Sequence, residues 1–317
     1  MSDNNQLVDE GINQGTSADI DQGLNWPSLA SFNQKLYLVH KGAGDDTGLH
    51  TAIHYVSYDG NSWTRDAIVK DGGFWTTQAV AITEFDKKLY TVHKGGRDNN
   101  AVFYASYDGT QWSQKEHTVP GDNTRQPVAL QVSGTTLYMA HKGFNDNHIH
   151  FHSFDGSNWK SGGYIGVAGA ETTLPVALAL FNEKMYLAFK GVDNSSIYYT
   201  AYHFNKNSWD APRKINDWDS TTQAVALASF KGKLYMAHKG GGADNQVYYN
   251  WFDGSNWASD TGVSGAITRN PVSLAVFGDL MYVAYKDANN SSIHYVPFDG
   301  VSWGSIQTVP GQEMAEK

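Results

Sequence analysis

The sequence predicts an all-β fold, and three observations predict it. One segment recurs six times: KLYLVHKG at 35–42, KLYTVHKG at 88–95, TLYMAHKG at 136–143, KMYLAFKG at 184–191, KLYMAHKG at 233–240 and LMYVAYKD at 280–287. Its tyrosines, Tyr37, Tyr90, Tyr138, Tyr186, Tyr235 and Tyr282, stand 53, 48, 48, 49 and 47 residues apart, within the range of propeller blades. Composition points the same way, since 13% aromatic residues and 32 glycines without helical apolar periodicity suit short strands joined by tight turns. Each unit also carries one tryptophan at a fixed place: Trp63, Trp112, Trp159, Trp209, Trp257 and Trp303. Six equal units with no capping unit at either end close radially. The expected architecture is a six-bladed β-propeller with four antiparallel strands per blade over 27–309, a partly flexible arm over 1–26 and a tail over 310–317.

Four segments, a to d, make each unit, and the second unit shows them as 78–85, 88–95, 101–108 and 111–119. Segment a is almost wholly apolar, as in PVALQV and PVSLAVF, which is how a strand buried on both faces reads. The inner strands are therefore expected at 28–32, 79–85, 128–132, 176–181, 224–230 and 272–277. Pairs such as Asp86-Lys87 and Asn182-Glu183 join a to b as a hairpin. Between c and d lie Asp59-Gly60, Asp108-Gly109, Asp155-Gly156, Asp253-Gly254 and Asp299-Gly300, the glycine supplying the positive φ of the turn. The tryptophan after each turn occurs in every unit, so packing between neighbouring blades is its expected duty.

Bulk properties exclude several functions. A net charge of −9 with five arginines offers no basic surface to release counterions from phosphates, so nucleic acid is not an expected partner. The absence of cysteine removes disulfides, thiolate metal sites and thiolate nucleophiles. The opening MSDNNQLVDE has no basic or apolar signal region, and no run is long enough to span a bilayer. The reading is a soluble protein made in the cytoplasm, open to non-classical release, a monomer or small homo-oligomer with no membrane insertion.

Function is expected on one face. In a four-stranded meander the a–b and c–d turns share one face and the b–c and d–a loops the other. The first set is short and nearly uniform, whereas the second varies: GGRDNN, GFNDNH, GVDNSS and GGGADNQ, against KDGGFWTT, GDNTR, GAETT, NDWDSTT and GAITR. A scaffold that standardises one face and diversifies the other keeps its ligands on the diverse one. There each blade ends strand b with a pair such as His93-Lys94, His141-Lys142 or His238-Lys239, beside a loop carrying Asp98, Asp146 or Asp244. These residues form either a cluster able to hold hydroxyl groups or a brace in which the lysine ties down its own hairpin. Phe189 and Tyr285 replace the histidine in two units, so that place asks for an aromatic body. The d–a loops add Trp26, Trp75 and Trp218 in some units and Arg125 or Arg269 in others, candidates for ligand contact because the fold does not repeat them.

No metal and no cofactor is assigned. His148, His150 and His152 alternate as metal ligands on a strand can, but His54, Phe103, Tyr198, Tyr248 and His294 take the place of His150 elsewhere, which reads as an aromatic packing position. The Asp/Asn loops lack EF-hand spacing, and Asp, Asn and Gly are also what tight loops use.

The YDGxxW and FDGxxW turns, the period and the unit count resemble the bacterial and fungal β-propeller lectins, including the fucose-binding and tectonin-like types, over about 27–309. The turns also echo sialidase Asp boxes, but the spacing S-x-D-G-x-x-W from Ser57 to Trp63 is one residue shorter. The resemblance implies carbohydrate recognition in clefts between blades, repeated around the ring, and glycans on cell surfaces as partners. Each cleft is expected to join a d–a loop to the b–c loop beside it: Trp75 with 93–100, Arg125 with 141–147, Trp218 with 238–245 and Arg269 with 285–290. The alternatives are a six-bladed, sialidase-like glycosidase and a protein-binding scaffold. Against an enzyme stands the near identity of the units, since catalysis needs one asymmetric constellation such as a tuned carboxylate pair.

Overall fold

The computed structural model describes residues 25–42, 51–70 and 73–314, and among these the regular structure is all strand. Six antiparallel sheets follow one another along the chain. Blade 1 holds Ser28–Phe32, Lys35–Lys41, Thr51–Tyr58 and the short Ala67–Ile68. Blades 2 and 3 are Ala81–Phe85, Lys88–Lys94, Ala101–Tyr107, His117–Asn123 and Ala129–Ser133, Thr136–Lys142, Ile149–Phe154, Trp159–Tyr164. Blade 4 is Ala177–Phe181, Lys184–Lys190 and Ile197–His203 with its outer strand split into Ser208–Trp209 and Arg213–Lys214. Blades 5 and 6 are Ala226–Phe230, Lys233–Lys239, Gln246–Phe252, Thr261–Ile267 and Ser273–Phe277, Leu280–Lys286, Ser292–Phe298, Gln307–Glu313. The predicted six-bladed ring of four-stranded meanders is what the chain forms.

Local chemistry sets the turns. The a–b hairpins of blades 1, 2 and 4 place both central residues at positive φ, as at Asp86 (45°) and Lys87 (59°), whose twist matches the flanking strands. In the c–d turn, Asp108 Oδ1 accepts the backbone N–H of Thr110 and Gln111 at 2.8 and 2.9 Å while Gly109 sits at φ 101°. Outer strand d departs from expectation: in blade 2, Trp112 makes only a lone bridge to Tyr107, and the strand itself is His117–Asn123. That strand is exposed except at two positions and carries a bulge opposite Ala101 and Phe103, so no alternating apolar pattern marks it in the sequence.

Strand a of each blade lies beside strand a of the next, and Ser273–Phe277 lies beside Ser28–Phe32. The ring closes by packing, since each blade is drawn from consecutive chain among the described residues. Leu36, Leu38 and Val56 of blade 1 share a core with Ala284, Tyr295 and Met314, and Leu29 N–H donates to Ser273 Oγ at 3.2 Å. Met314 is fully buried and strand d of blade 6 runs from Gln307 to Glu313, through the first residues of the expected 310–317 tail. The expected arm falls outside the described residues apart from Asn25, which is buried, and Trp26.

The repeated tryptophans knit the ring. Each stands edge-on to an aromatic ring in strand c of the preceding blade: Trp112 to Tyr55 (5.6 Å, 72°), Trp159 to Tyr104 (5.9 Å, 66°), Trp209 to Phe151 (5.1 Å, 84°). Trp257 to Tyr199, Trp303 to Tyr249 and Trp63 to Tyr295 complete the circuit at 5.6, 5.2 and 5.5 Å. These are favoured edge-to-face geometries, and they place the indoles at the interfaces as packing elements.

Candidate functional site

The variable loops form one repeated arrangement between blades. A d–a loop begins with a threonine whose hydroxyl donates to the carbonyl two residues on and accepts the N–H there, as Thr124 does with Gln126 at 3.2 and 3.0 Å. Thr76, Thr172, Thr221 and Thr268 do the same. This turn fixes the loop where it crosses to the next blade. The T-x pair was visible in every d–a loop of the sequence, but its role was not.

The strand-b lysines fasten the two loop sets together. Lys94 is fully buried, and its Nζ donates to Gly95 O (3.1 Å), Arg97 O (2.8 Å) and Thr77 Oγ1 of the incoming d–a loop (3.0 Å). Lys239 repeats the pattern with Gly240 O, Gly242 O and Thr222 Oγ1, each at 3.0 Å. Lys142 is buried too, donating to Gly143 O at 3.2 Å. The geometry is that of a brace, with the ammonium groups turned inward. His93, His141 and His238 are also fully buried, each aiming Nε2 at a carboxylate: Glu116 (2.7 Å), Asp122 (2.9 Å) and Asp260 (2.9 Å). Both residue types lie beneath the cleft surface, out of reach of a bound molecule in this conformation.

The exposed candidates stand above them. Between blades 4 and 5 a cleft of about 340 Å³ is lined by Trp218, Asp219, Asp244, Tyr248, Ser259 and Asp260. Trp218 is 77% exposed, held up by Asn216, whose Oδ1 accepts the N–H of Trp218 (3.0 Å) and Asp219 (2.7 Å). Asp244 accepts from Gln246 N–H and from the Tyr248 hydroxyl, both at 2.9 Å. Asn250 Nδ2 bridges Asp219 Oδ2 (2.9 Å) and Asp260 Oδ1 (2.8 Å). Burial, and then the Asp260 carboxylate, push the Asp219 carboxyl above its usual range. Burial opposes charge on His238, yet the hydrogen bond and charge of Asp260 carry its pKa upward. An exposed indole thus shares one cleft with several acceptors and a tyrosine hydroxyl, side chains of the kind that cover a C–H face and bind hydroxyl groups.

The other clefts share the frame and differ in content. Between blades 2 and 3 the Arg125 guanidinium lies 4.6 Å over the Phe144 ring, beside the loop of Asp146. Between blades 1 and 2, Trp75 is 39% exposed in the short strand Trp75–Thr76, which pairs with Thr51 and Ala52 of blade 1 and leads into Thr77, the residue that Lys94 grips; Asp98 is exposed as well. Arg269 is exposed between blades 5 and 6, its carbonyl accepting from Gln223 Nε2 at 2.9 Å. Trp26 is elsewhere: with the inner strands it lines the central cavity of about 140 Å³, because its position matches Gln78 and Gln126 and not the loop tips. Sequence reasoning missed the cleft between blades 6 and 1, about 300 Å³, where His40, His54, Asp66 and Gln312 meet. It also missed Asp219, Tyr248 and Asp260, of which Asp219 was legible as the neighbour of a loop tryptophan.

No protein-family description matches the chain, and no curated protein sequence is similar to it. Solved structures are similar in fold. The fucose-specific lectin from Aleuria aurantia superposes with a TM-score of 0.64 at 13% identity, covering 90% of this chain and 96% of that one. AofleA from Arthrobotrys oligospora gives 0.64 at 12%, covering 92% and 89%. A Hadza microbial sialidase gives 0.60 at 10%, covering 86% of this chain and 63% of its own. The likeness at these identities is one of fold.

Proposed function

We propose that this chain is a multivalent carbohydrate-binding lectin whose sugar sites are the clefts between blades. The observation that carries the reading is the cleft of blades 4 and 5, where Trp218 stands exposed above Asp219, Asp244, Asp260 and Tyr248. Weak single sites gain avidity when several share one rigid ring, and glycans on a cell surface present the matching array. Because lectins of like fold are described as fucose-specific, fucosides are the first ligands to test. Trp218, Trp75, Arg125 and Arg269 are the contacts expected from above, with Asp98, Asp146 and Asp244 as hydroxyl acceptors. The buried histidines and lysines act by holding these in place.

A second reading, a glycosidase, is favoured by one observation: Asp219 and Asp260 share Asn250 under the same cleft, and the two carboxyls are electrostatically linked. A glycan array scored for binding, together with hydrolysis of aryl glycosides, separates the two. Retained glycans without turnover support the lectin; turnover abolished by Asp260→Asn supports the glycosidase.

A further inference from the structure

Beneath the cleft of blades 2 and 3 lies a cluster that the sugar reading does not use. Three positions line the floor of every cleft: the end of strand d, the end of strand b in the next blade, and strand c beside it. Around the ring they read Phe74/His93/Ala105, Asp122/His141/His152, Ala170/Phe189/Thr200, Asp219/His238/Asn250, Ala266/Tyr285/Val296 and Gln312/His40/Val56. Of these six triples only the second combines two histidines with an acid, and among the described residues only its three ligand atoms lie close enough together to share one ion. All three are buried, and His141 is completely so.

The ligand atoms converge. His141 Nε2 is 2.9 Å from Asp122 Oδ2, His152 Nε2 is 3.4 Å from the same oxygen, and the two nitrogens are 3.2 Å apart. A tetrahedral ion with ligands at about 2.0 Å spaces them by about 3.3 Å, so the triangle has the size of one coordination face. His141 Nδ1 lies 2.8 Å from Lys142 O, an acceptor, which places a proton on Nδ1, so that Nε2 is the nitrogen aimed at the centre and an ion there would displace the proton it shares with Asp122. Imidazole nitrogens with one carboxylate suit zinc and its neighbours and do not suit calcium or magnesium.

We infer that Asp122, His141 and His152 bind one divalent transition-metal ion, zinc foremost, which staples blade 2 to blade 3. The alternating histidine run contributes one ligand, His152. His150 instead stacks on His141 (5.5 Å, 14°) and faces the exposed Asp146. The inference does not depend on sugar binding.

Tag-free protein stripped by chelator is titrated with zinc by calorimetry and with cobalt(II) by visible absorption. One zinc per chain, a tetrahedral cobalt spectrum and a zinc-dependent rise in melting temperature are expected. His152→Val restores the residue of blades 1 and 6 and removes a ligand. Losing an outer partner of a metal ligand already costs about 10–100-fold in affinity, so this change is expected to cost at least about 100-fold. His150→Phe, the residue of blade 2, should leave affinity unchanged. If His152→Val fails to fold, His152→Asn, the residue of blade 5, takes its place. A wild type that binds no zinc, a cobalt spectrum identical to the aqueous ion, a variant at residue 152 that binds as tightly as the wild type, or zinc binding without a melting shift would each overturn the staple.

Discussion

Trp112→Ala tests the interface that holds blade 1 to blade 2. The indole is 7% exposed, lies tilted by 35° at 5.1 Å from Tyr107 of its own blade and stands edge-on to Tyr55 at 5.6 Å. An aromatic side chain buries about 150–250 Å², which at about 25 cal/mol per Å² gives roughly 4–6 kcal/mol of transfer free energy. Trp112 belongs to a buried core cluster, and a loss of about 3–5 kcal/mol is expected, the range of large-to-small core changes. Trp112→Phe is expected to cost far less, because the indole N–H has no acceptor among the protein atoms and no hydrogen bond is given up. Urea unfolding followed by tryptophan emission and circular dichroism gives both values. A coupling of about 0.5–1.5 kcal/mol between Trp112 and Tyr55 should appear in a double-mutant cycle. Unchanged stability in Trp112→Ala, or selective loss of glycan binding, would refute the packing role.

Three further outcomes follow from the geometry. Lys94→Met should destabilise by about 2 kcal/mol, measured by denaturant, since it strips a charged donor from the buried Gly95 carbonyl, the partly buried Arg97 carbonyl and a threonine; a neutral effect would contradict the brace. On the acid side, hydrogen bonds from the Thr110 hydroxyl and the Gln111 and Thr110 backbone hold Asp108 down to about 2, and backbone bonds lower Asp59, Asp155, Asp253 and Asp299 likewise. Their folded pKa values lie below the unfolded one, so this stability is present above the unfolded pKa and lost as pH falls through the folded values; melting temperature should drop below pH 4, and Asp108→Asn should flatten that drop. His238 shifts the opposite way: its pair with Asp260 stabilises below the unfolded histidine pKa and is lost as pH rises through the raised folded value, so His238→Phe should remove a melting step above pH 6.5.

The fold was legible because packing repeats in the sequence: KLYTVHKG and its copies write the buried strand b six times, and PVALQV-like runs mark the ring's inner wall. Strand d was placed too early because HTVPGDN faces solvent and carries a bulge, so nothing apolar announces it. The site was half legible. Trp218 and Asp244 line one cleft as their loops implied, but the partners of the buried histidines lie elsewhere in the chain, with Asp260 22 residues from His238 and Asp122 one blade earlier than His141. Register across the sheet and contact across the cleft bring them together, and neither is written in a local motif. Trp26 shows the opposite case, where an aromatic before strand a resembled the loop tryptophans and the register turned it to the centre.

Whether sugar sits between blades is decided by calorimetric titration of a fucoside, or of the glycan best retained on an array, into the wild type and the Trp218→Ala variant. Removing an indole that is 77% exposed and outside every packing cluster leaves the fold unchanged, as circular dichroism should show. Sugar bound between blades gives more than one site per chain in the wild type and one fewer in the variant, with agglutination falling more steeply than single-site affinity. Equal stoichiometry and agglutination in Trp218→Ala and in the Trp75→Ala/Trp218→Ala double variant would contradict it.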